Sequence, residues 1–193
     1  MLDRKKIDPF DDVYILRSKK FSDERGHFTE AFNQKSFTEI INRDLHFVQD
    51  NLSLSRNGVL RGLHFQKNPH AQAKLIRVLE GKILDVVVDI RLQSPSFSKW
   101  QSIELDEEDN EMLFVPEGFA HGFLVVSEIA KIQYKTSSYY HPESDVTLRW
   151  NDKDLGVNWR LDDFKISSLI ISEKDLKGLS LADLKIKNLF FCQ

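Results

Sequence analysis

Ala130-Lys131-Ile132-Gln133-Tyr134-Lys135-Thr136 is the stretch that decides the fold class. Side chains alternate along a strand, so Ala130, Ile132, Tyr134 and Thr136 share one face and Lys131, Gln133 and Lys135 share the other. Other short runs rich in β-branched and aromatic residues recur between turn residues, at 13–16, 27–32, 75–79, 83–90, 112–115 and 122–126. That spacing predicts an antiparallel sandwich or barrel rather than βαβ units. Two helical stretches interrupt it. Ser36-Phe37-Thr38-Glu39 has the form of a capping box opening a short helix, with Phe37, Ile40 and Ile41 on one face. Beyond Asp175, residues Leu176, Leu179, Leu181, Leu184 and Ile186 recur at mixed helical spacing around Gly178.

The chain has 193 residues, 41% of them hydrophobic and 30% charged, which suits one soluble domain with a sizeable core. With no internal repeat and no low-complexity linker, the expected organisation is a single domain over 1–193. Its core spans about 13–160 and a C-terminal helical appendage spans about 175–193. A net charge of -3 gives no reason to expect nucleic acid or an anionic membrane as partner. No apolar run approaches the length of a membrane span, and the polar start LDRKKIDPFDD lacks an apolar leader core. The single cysteine, Cys192, cannot pair within the chain, so nothing points to an oxidising compartment and the cytoplasm is the expected location.

Arg61-Gly62-Leu63-His64-Phe65-Gln66 is the segment richest in chemistry. It places a histidine in a strand-like run three residues after an arginine, with no second histidine nearby. His64 reads either as a base beside an anion clamp or as a core histidine satisfied by a backbone partner. Strand parity puts Gly62, His64 and Gln66 on one face. Tyr134 points inward on its own strand, where a phenol needs a hydrogen-bond partner or a cavity. If both faces are interior, base and phenol look into one space.

Gly58, with five residues between it and His64, and Pro116-Glu117-Gly118-Phe119-Ala120-His121, with Gly81 between them, resemble the two signature motifs of the cupin superfamily. Metal-binding cupins carry a second histidine where this chain has Gln66, and an amide replaces an imidazole poorly as a ligand. The expectation is therefore a metal-free cavity in which His64 and His121 form hydrogen bonds. The segments DERGHFTE, QDN, VLRGLHFQ, QAKLIRV, DVVVDIR, SPSFSKW, FVPEGFAHGFLV, YKTSSYY, RWNDKDLGVNW and ISEKD then follow one another as in the dTDP-4-dehydrorhamnose 3,5-epimerases. This resemblance runs from about 13 to 175. It implies a cupin-type antiparallel β-barrel or jelly roll, mainly β with a few short helices.

The same resemblance implies an isomerase acting on a dTDP-4-keto-6-deoxy sugar, whose C3 and C5 hydrogens are both α to the C4 carbonyl. Such chemistry needs a base near neutral pKa, a positive group at the developing oxyanion and an acid on the opposite ring face. An unperturbed imidazole, with a pKa of about 6.5, suits the first role, which the resemblance gives to His64 with Asp175 as its partner. Lys74 is implied as the cation and Tyr134 as the acid. No redox cofactor is needed for epimerisation beside an existing ketone, and none is expected; no metal is expected either. For the nucleotide the resemblance nominates Arg61 and Arg25 on the diphosphate, Phe21 and Tyr140 as stacking surfaces, and Glu30, Gln49 and Asn51 as polar contacts. It adds His121 near the sugar and Lys174 as a further contact. Asp145 stands where the family more often has a glutamate, one methylene longer.

The resemblance also implies a homodimer in which N-terminal strands cross to the neighbour, so that Phe21, Arg25 and Glu30 complete the partner's site. Alternative readings are an epimerase acting at one carbon or on another nucleotide, and a metal-dependent or purely sugar-binding cupin. Other conspicuous residues have simpler roles. Trp100, Trp150 and Trp159 are expected to pack at barrel ends or an interface, Asp85 and Asp89 to bind arginine within the sheet, and Asp106-Glu107-Glu108-Asp109 to form a solvated turn.

Overall fold

Val86-Val87-Val88 lies at the centre of a strand with no exposed side, and the architecture follows from covering both of its faces. The computed structural model describes residues 2–191; Cys192 lies outside them. In the first half of the chain the elements are β1 (Leu2–Lys6), β2 (Tyr14–Ser18), β3 (Lys20–Asp23), β4 (Gly26–Thr29), α1 (Gln34–Ile41), β5 (Gln49–Arg56), β6 (Val59–Gln66), β7 (Lys74–Glu80) and β8 (Lys82–Asp89). The second half adds β9 (Trp100–Asp106), β10 (Glu111–Val115), β11 (Phe119–Val125), β12 (Ile129–Thr136), β13 (Asp145–Thr147), β14 (Ile170–Ile171), α2 (Glu173–Leu176) and α3 (Leu181–Ile186).

One sheet has the order β1-β2-β10-β7-β12-β5 and the other β13-β6-β11-β8-β9, while β14 joins β6 in parallel and β3 pairs only with β4. Every other pairing is antiparallel, as in a jelly roll. Ile76, Val78 and Ile132 from the first sheet meet Ile83, Val87 and Phe123 from the second in the interior. On the outer face of the second sheet Leu84, Val86 and Val88 are sealed by Leu148, Trp159, Leu184 and Phe190. Each such buried aliphatic or aromatic side chain contributes about 1.5–3 kcal/mol. The outer face of the first sheet is covered only at one end, where α1 lays Phe37 on Leu16, Leu75 and Phe114. At the other end Leu52 and Leu54 of β5 remain 65% and 60% exposed.

Several local expectations are corrected. The N-cap of α1 is Asn33, whose side chain accepts from the Ser36 amide at 3.1 Å, so Ser36 lies inside the helix rather than at its start. Asparagine serves this position as well as serine does. The stretch beyond Asp175 forms two helices rather than one; Gly178 separates them, and α3 has its own capping box from Ser180 and Asp183. Tryptophans cover the outer face of the second sheet, not the barrel ends, with Nε1 of Trp100 and Trp159 donating to Leu155 O and Trp150 O at 3.0 and 2.9 Å. Asp89 does bind an arginine, Arg91, but Asp85 pairs with His121. Asp106 closes the acidic turn by accepting from the amides of Glu108 and Asp109.

Strand parity fails at one place that matters. His64 is registered against His121, yet Arg61 rather than Gly62 faces Phe123, so β6 carries one extra residue relative to β11. This bulge turns both Arg61 and His64 toward the interior cavity. Glycine is required on both strands there. A Cβ on Gly62, at φ +121°, would stand 2.6 Å from Gly122 Cα, and one on Gly122 would stand 2.5 Å from Arg61 O. Gly122→Ala is expected to cost about 1–3 kcal/mol through overpacking, measured as a lower midpoint in urea unfolding. An unchanged midpoint would show that the strands separate freely at this point.

Candidate active site

The two sheets enclose a cavity of about 260 Å³ whose opposite walls carry different chemistry. The second sheet contributes Arg61 and His64 from β6 and His121 from β11; the first contributes Lys74 from β7 and Tyr134 from β12. Tyr140, Asp145 and Lys174 line the same space. Eight residues anticipated from the sequence therefore converge, although they span 61 to 174 in the chain.

His64 Nε2 lies 2.6 Å from Asp175 Oδ1. A proton on Nε2 shared with this carboxylate leaves Nδ1 as the basic nitrogen. Asp175 is held on three sides: Oδ2 accepts from the Gly62 amide at 3.2 Å, its own amide donates to Ser172 Oγ at 3.1 Å, and it lies within α2, packed on β6. Burial pushes the Asp175 carboxyl up, but the hydrogen bond and charge of His64, with the Gly62 and Ser172 contacts, outweigh it and hold the pKa below the ordinary aspartate value. The carboxylate can therefore stabilise an imidazolium. His121 forms a second pair, its Nε2 2.8 Å from Asp85 Oδ2. Burial drives the His121 pKa down against the pull of Asp85, with Lys74 and His64 adding to the fall, so this ring is neutral.

Lys74 is 8% exposed and donates from Nζ to the His64 carbonyl at 3.1 Å. Burial lowers its pKa to about 8, against the opposing charges of Asp145 and Asp85, while Lys174 pushes it further down. Tyr134 faces the cavity as strand parity predicts. Burial raises its pKa and Asp145 adds to this, while Arg61 acts the other way, so the phenol keeps its proton. A base and a protonated acid thus stand on opposite sheets with a cation beside the base. That arrangement can remove a proton from one face of a carbon acid and return one to the other.

The remaining predicted residues divide. Gln49 and Asn51 face inward on β5, Asn51 in register with Tyr134, but Gln49 donates from Nε2 to Asn51 Oδ1 and its Oε1 accepts from the Tyr140 amide. Asp145 accepts from Tyr140 Oη at 3.1 Å and forms an ion pair with Lys174. The shorter side chain thus ties two neighbouring groups together at the cavity. Phe21, Arg25 and Glu30 do not reach the cavity. They sit on or just beyond the β3–β4 hairpin, which among the described residues pairs with no other strand, and Arg25 closes on Asp23 of the same hairpin.

Sequence reasoning missed Ser53, Gln72 and Asp85. Ser53 and Gln72 line the cavity, and Asp85 is fully buried behind His121. A signal for Ser53 existed: β5 alternates in reverse, with Gln49, Asn51, Ser53 and Ser55 turned inward while Leu52 and Leu54 face out. Among the described residues no three His, Cys, Asp or Glu side chains gather as a metal-binding group. Nε2 of both His64 and His121 is already engaged by a carboxylate.

The sequence matches the family model described as dTDP-4-dehydrorhamnose 3,5-epimerase over residues 8–183. It is 48% identical to the dTDP-4-dehydrorhamnose 3,5-epimerase of Escherichia coli K12 across 90% of this chain and 92% of that one. A dTDP-6-deoxy-D-glucose-3,5-epimerase from Legionella pneumophila Philadelphia 1, solved with dTDP-4-keto-L-rhamnose, superposes with a TM-score of 0.92 at 38% identity, covering 100% of this chain and 99% of that one. A 3'-monoepimerase from Streptomyces bikiniensis, solved with dTDP-quinovose, has a TM-score of 0.86 at 32% identity, covering 94% and 89%. With the cupin-like double sheet and the facing His64 and Tyr134 in place, this chain belongs to the dTDP-4-dehydrorhamnose 3,5-epimerase family.

Proposed function

We propose that this chain inverts C3 and C5 of dTDP-4-dehydro-6-deoxy-D-glucose to give dTDP-4-dehydro-L-rhamnose, on the route to dTDP-L-rhamnose. The observation that carries the reading is the placement of His64 and Tyr134 on facing sheets with Lys74 alongside. His64 takes the proton α to the C4 ketone and becomes an imidazolium paired with Asp175. The electron pair left on carbon moves into the carbonyl, and Lys74 stabilises the C4 oxyanion. Tyr134 delivers its proton to the opposite face, which inverts the centre. Solvent then returns a proton to the phenolate and removes one from the imidazolium, and the cycle repeats at the second carbon. Epimerisation beside a ketone transfers no hydride, so no redox cofactor enters the scheme, and Lys74 takes the part that a Lewis acid would otherwise play at the enolate.

Arg61 holds the diphosphate, Tyr140 stacks on the thymine, and Lys174, His121, Gln49 and Asn51 supply polar contacts. Asp145 acts through Tyr140 and Lys174. We also propose a homodimer and place it in the cytoplasm, where nucleotides are activated. The bare leucines on β5 and the unpartnered β3–β4 hairpin, with Phe21 50% and Phe28 69% exposed, support exchange of N-terminal strands. Phe21, Arg25 and Glu30 then serve the partner's cavity. Residues 1–193 act as one domain in this reading, because the C-terminal appendage carries Asp175 and seals the second sheet.

Incubation with the 4-keto sugar nucleotide in deuterated water is expected to place solvent deuterium at C3 and C5, read by NMR. Label at one carbon alone would make this chain a monoepimerase, like the Streptomyces bikiniensis relative. His64→Ala and Tyr134→Phe are each expected to slow exchange by about a hundred- to ten-thousand-fold, the usual contribution of a positioned acid or base. Two variants exchanging as fast as the parent would remove both assignments.

Lys74 must be protonated to hold the oxyanion, and its pKa lies at about 8. Activity is therefore expected to fall as pH rises through that value. Asp145→Asn removes a charge that holds this pKa up, so the alkaline limb should move to lower pH; a limb that stays in place would separate Lys74 from the rate. Mixing His64→Ala with Arg25→Ala protein is expected to restore activity that neither has alone, because one site of the mixed dimer would be intact. Absence of rescue would confine each site to one chain.

A further inference from the structure

Tyr140 sits in a segment with no strand partner, and side-chain amides take the place of a ladder there. Gln72 Nε2 donates to Ser138 O at 2.7 Å, Gln66 Nε2 to Tyr139 O at 3.2 Å, and the amides of Tyr140 and His141 donate to Gln49 Oε1 at 3.1 Å and Gln66 Oε1 at 2.7 Å. Four consecutive residues are thus positioned by three glutamines. Gln66 is the central one, since its two contacts bracket Tyr140. It is 4% exposed, and its second donor bond, to His70 O at 2.6 Å, ties this segment to the turn after β6. The rings of His70 and His141, the two residues whose backbones meet Gln66 from either side, stack at 3.8 Å with 7° between their planes.

We propose that Gln66 is a positioning residue for nucleotide binding: its amide clamps the segment that carries Tyr140 and fixes that ring at the cavity. The proposal rests on the reading that Tyr140 stacks on the thymine. It gives a role to the position where a cupin metal site would have had a histidine. An amide suits this role because it offers two donors and an acceptor in one plane, and here both donors and the carbonyl oxygen are used. An imidazole has only two ring nitrogens, and a carboxylate would turn an acceptor toward two carbonyls.

Gln66→Met keeps the side-chain length and removes every clamp bond; Gln66→Glu retains only the acceptor. Both are expected to weaken dTDP binding by about tenfold in titration calorimetry, on the scale of one lost base stack. The KM for the sugar nucleotide should rise more than kcat falls. On a Tyr140→Ala background Gln66→Met should add less than about twofold, because residues that act through one contact are not additive. Parental dTDP affinity in Gln66→Met, or the full tenfold loss persisting without Tyr140, would overturn the clamp. Parental affinity in Tyr140→Ala alone would instead overturn the placement of the thymine, and the Gln66 role with it. Amide hydrogen exchange on the unmodified protein needs no variant: slow exchange at His141, whose amide donates to Gln66, supports the clamp, and exchange at the rate of an open loop overturns it.

Discussion

Two glycines meet where β6 crosses β11, and most of the site depends on how closely they approach. Without side chains at Gly62 and Gly122 the backbones come within the space a single Cβ would fill, and β6 gains one residue over its neighbour. That extra residue lets Arg61 and His64, three apart, face one cavity, which a regular strand forbids. The same distortion points the Gly62 amide at Asp175. One backbone irregularity thereby brings Arg61, His64 and Asp175 together. Bulges tend to occur where a side chain has to be re-aimed.

The cavity is also organised by what it does to charge. Lys74 and His121 are both driven toward neutrality by burial, and each has a carboxylate working in the other direction. Asp85 is involved in both cases, although it contributes nothing to the cavity wall itself. The result for Lys74 is a cation held close to its titration point, which a fully solvated lysine would not be. Tyr134 differs: burial and a nearby carboxylate both favour its neutral form. A cation and a neutral phenol from the first sheet face a carboxylate-backed imidazole from the second.

Much of the fold was legible because its central strands carry apolar runs; the 83–90 and 130–136 readings fall on β8 and β12. Less visible were β1, β5 and β9, where LDRKK, QDNLSLSR and WQSIELD alternate polar residues with few apolar ones. A strand that turns serines toward a cavity and leucines outward looks wrong to any rule that sends apolar residues inside. The catalytic candidates were named from resemblance, since parity alone put Tyr134 inward, left the direction of the His64 face open and set Arg61 on the opposite face from His64. Asp85 was expected to meet an arginine, and only the register of β8 against β11, which aligns it with Phe123 next to His121's strand position, places it under the imidazole. Gln66 was read for the ligand it fails to be. The backbone it holds is 73 and 75 residues away, beyond the reach of local pattern.

Asp175 lies 111 residues beyond the histidine it supports. It is carried on a short helix between β14, which joins β6, and Leu179, which bridges to Leu148. During synthesis His64, Lys74 and Tyr134 leave the ribosome before the carboxylate exists. A chain that ended before α2 would leave this imidazole without its counter-charge. The His64–Asp175 pair forms only once α2 has docked on β6.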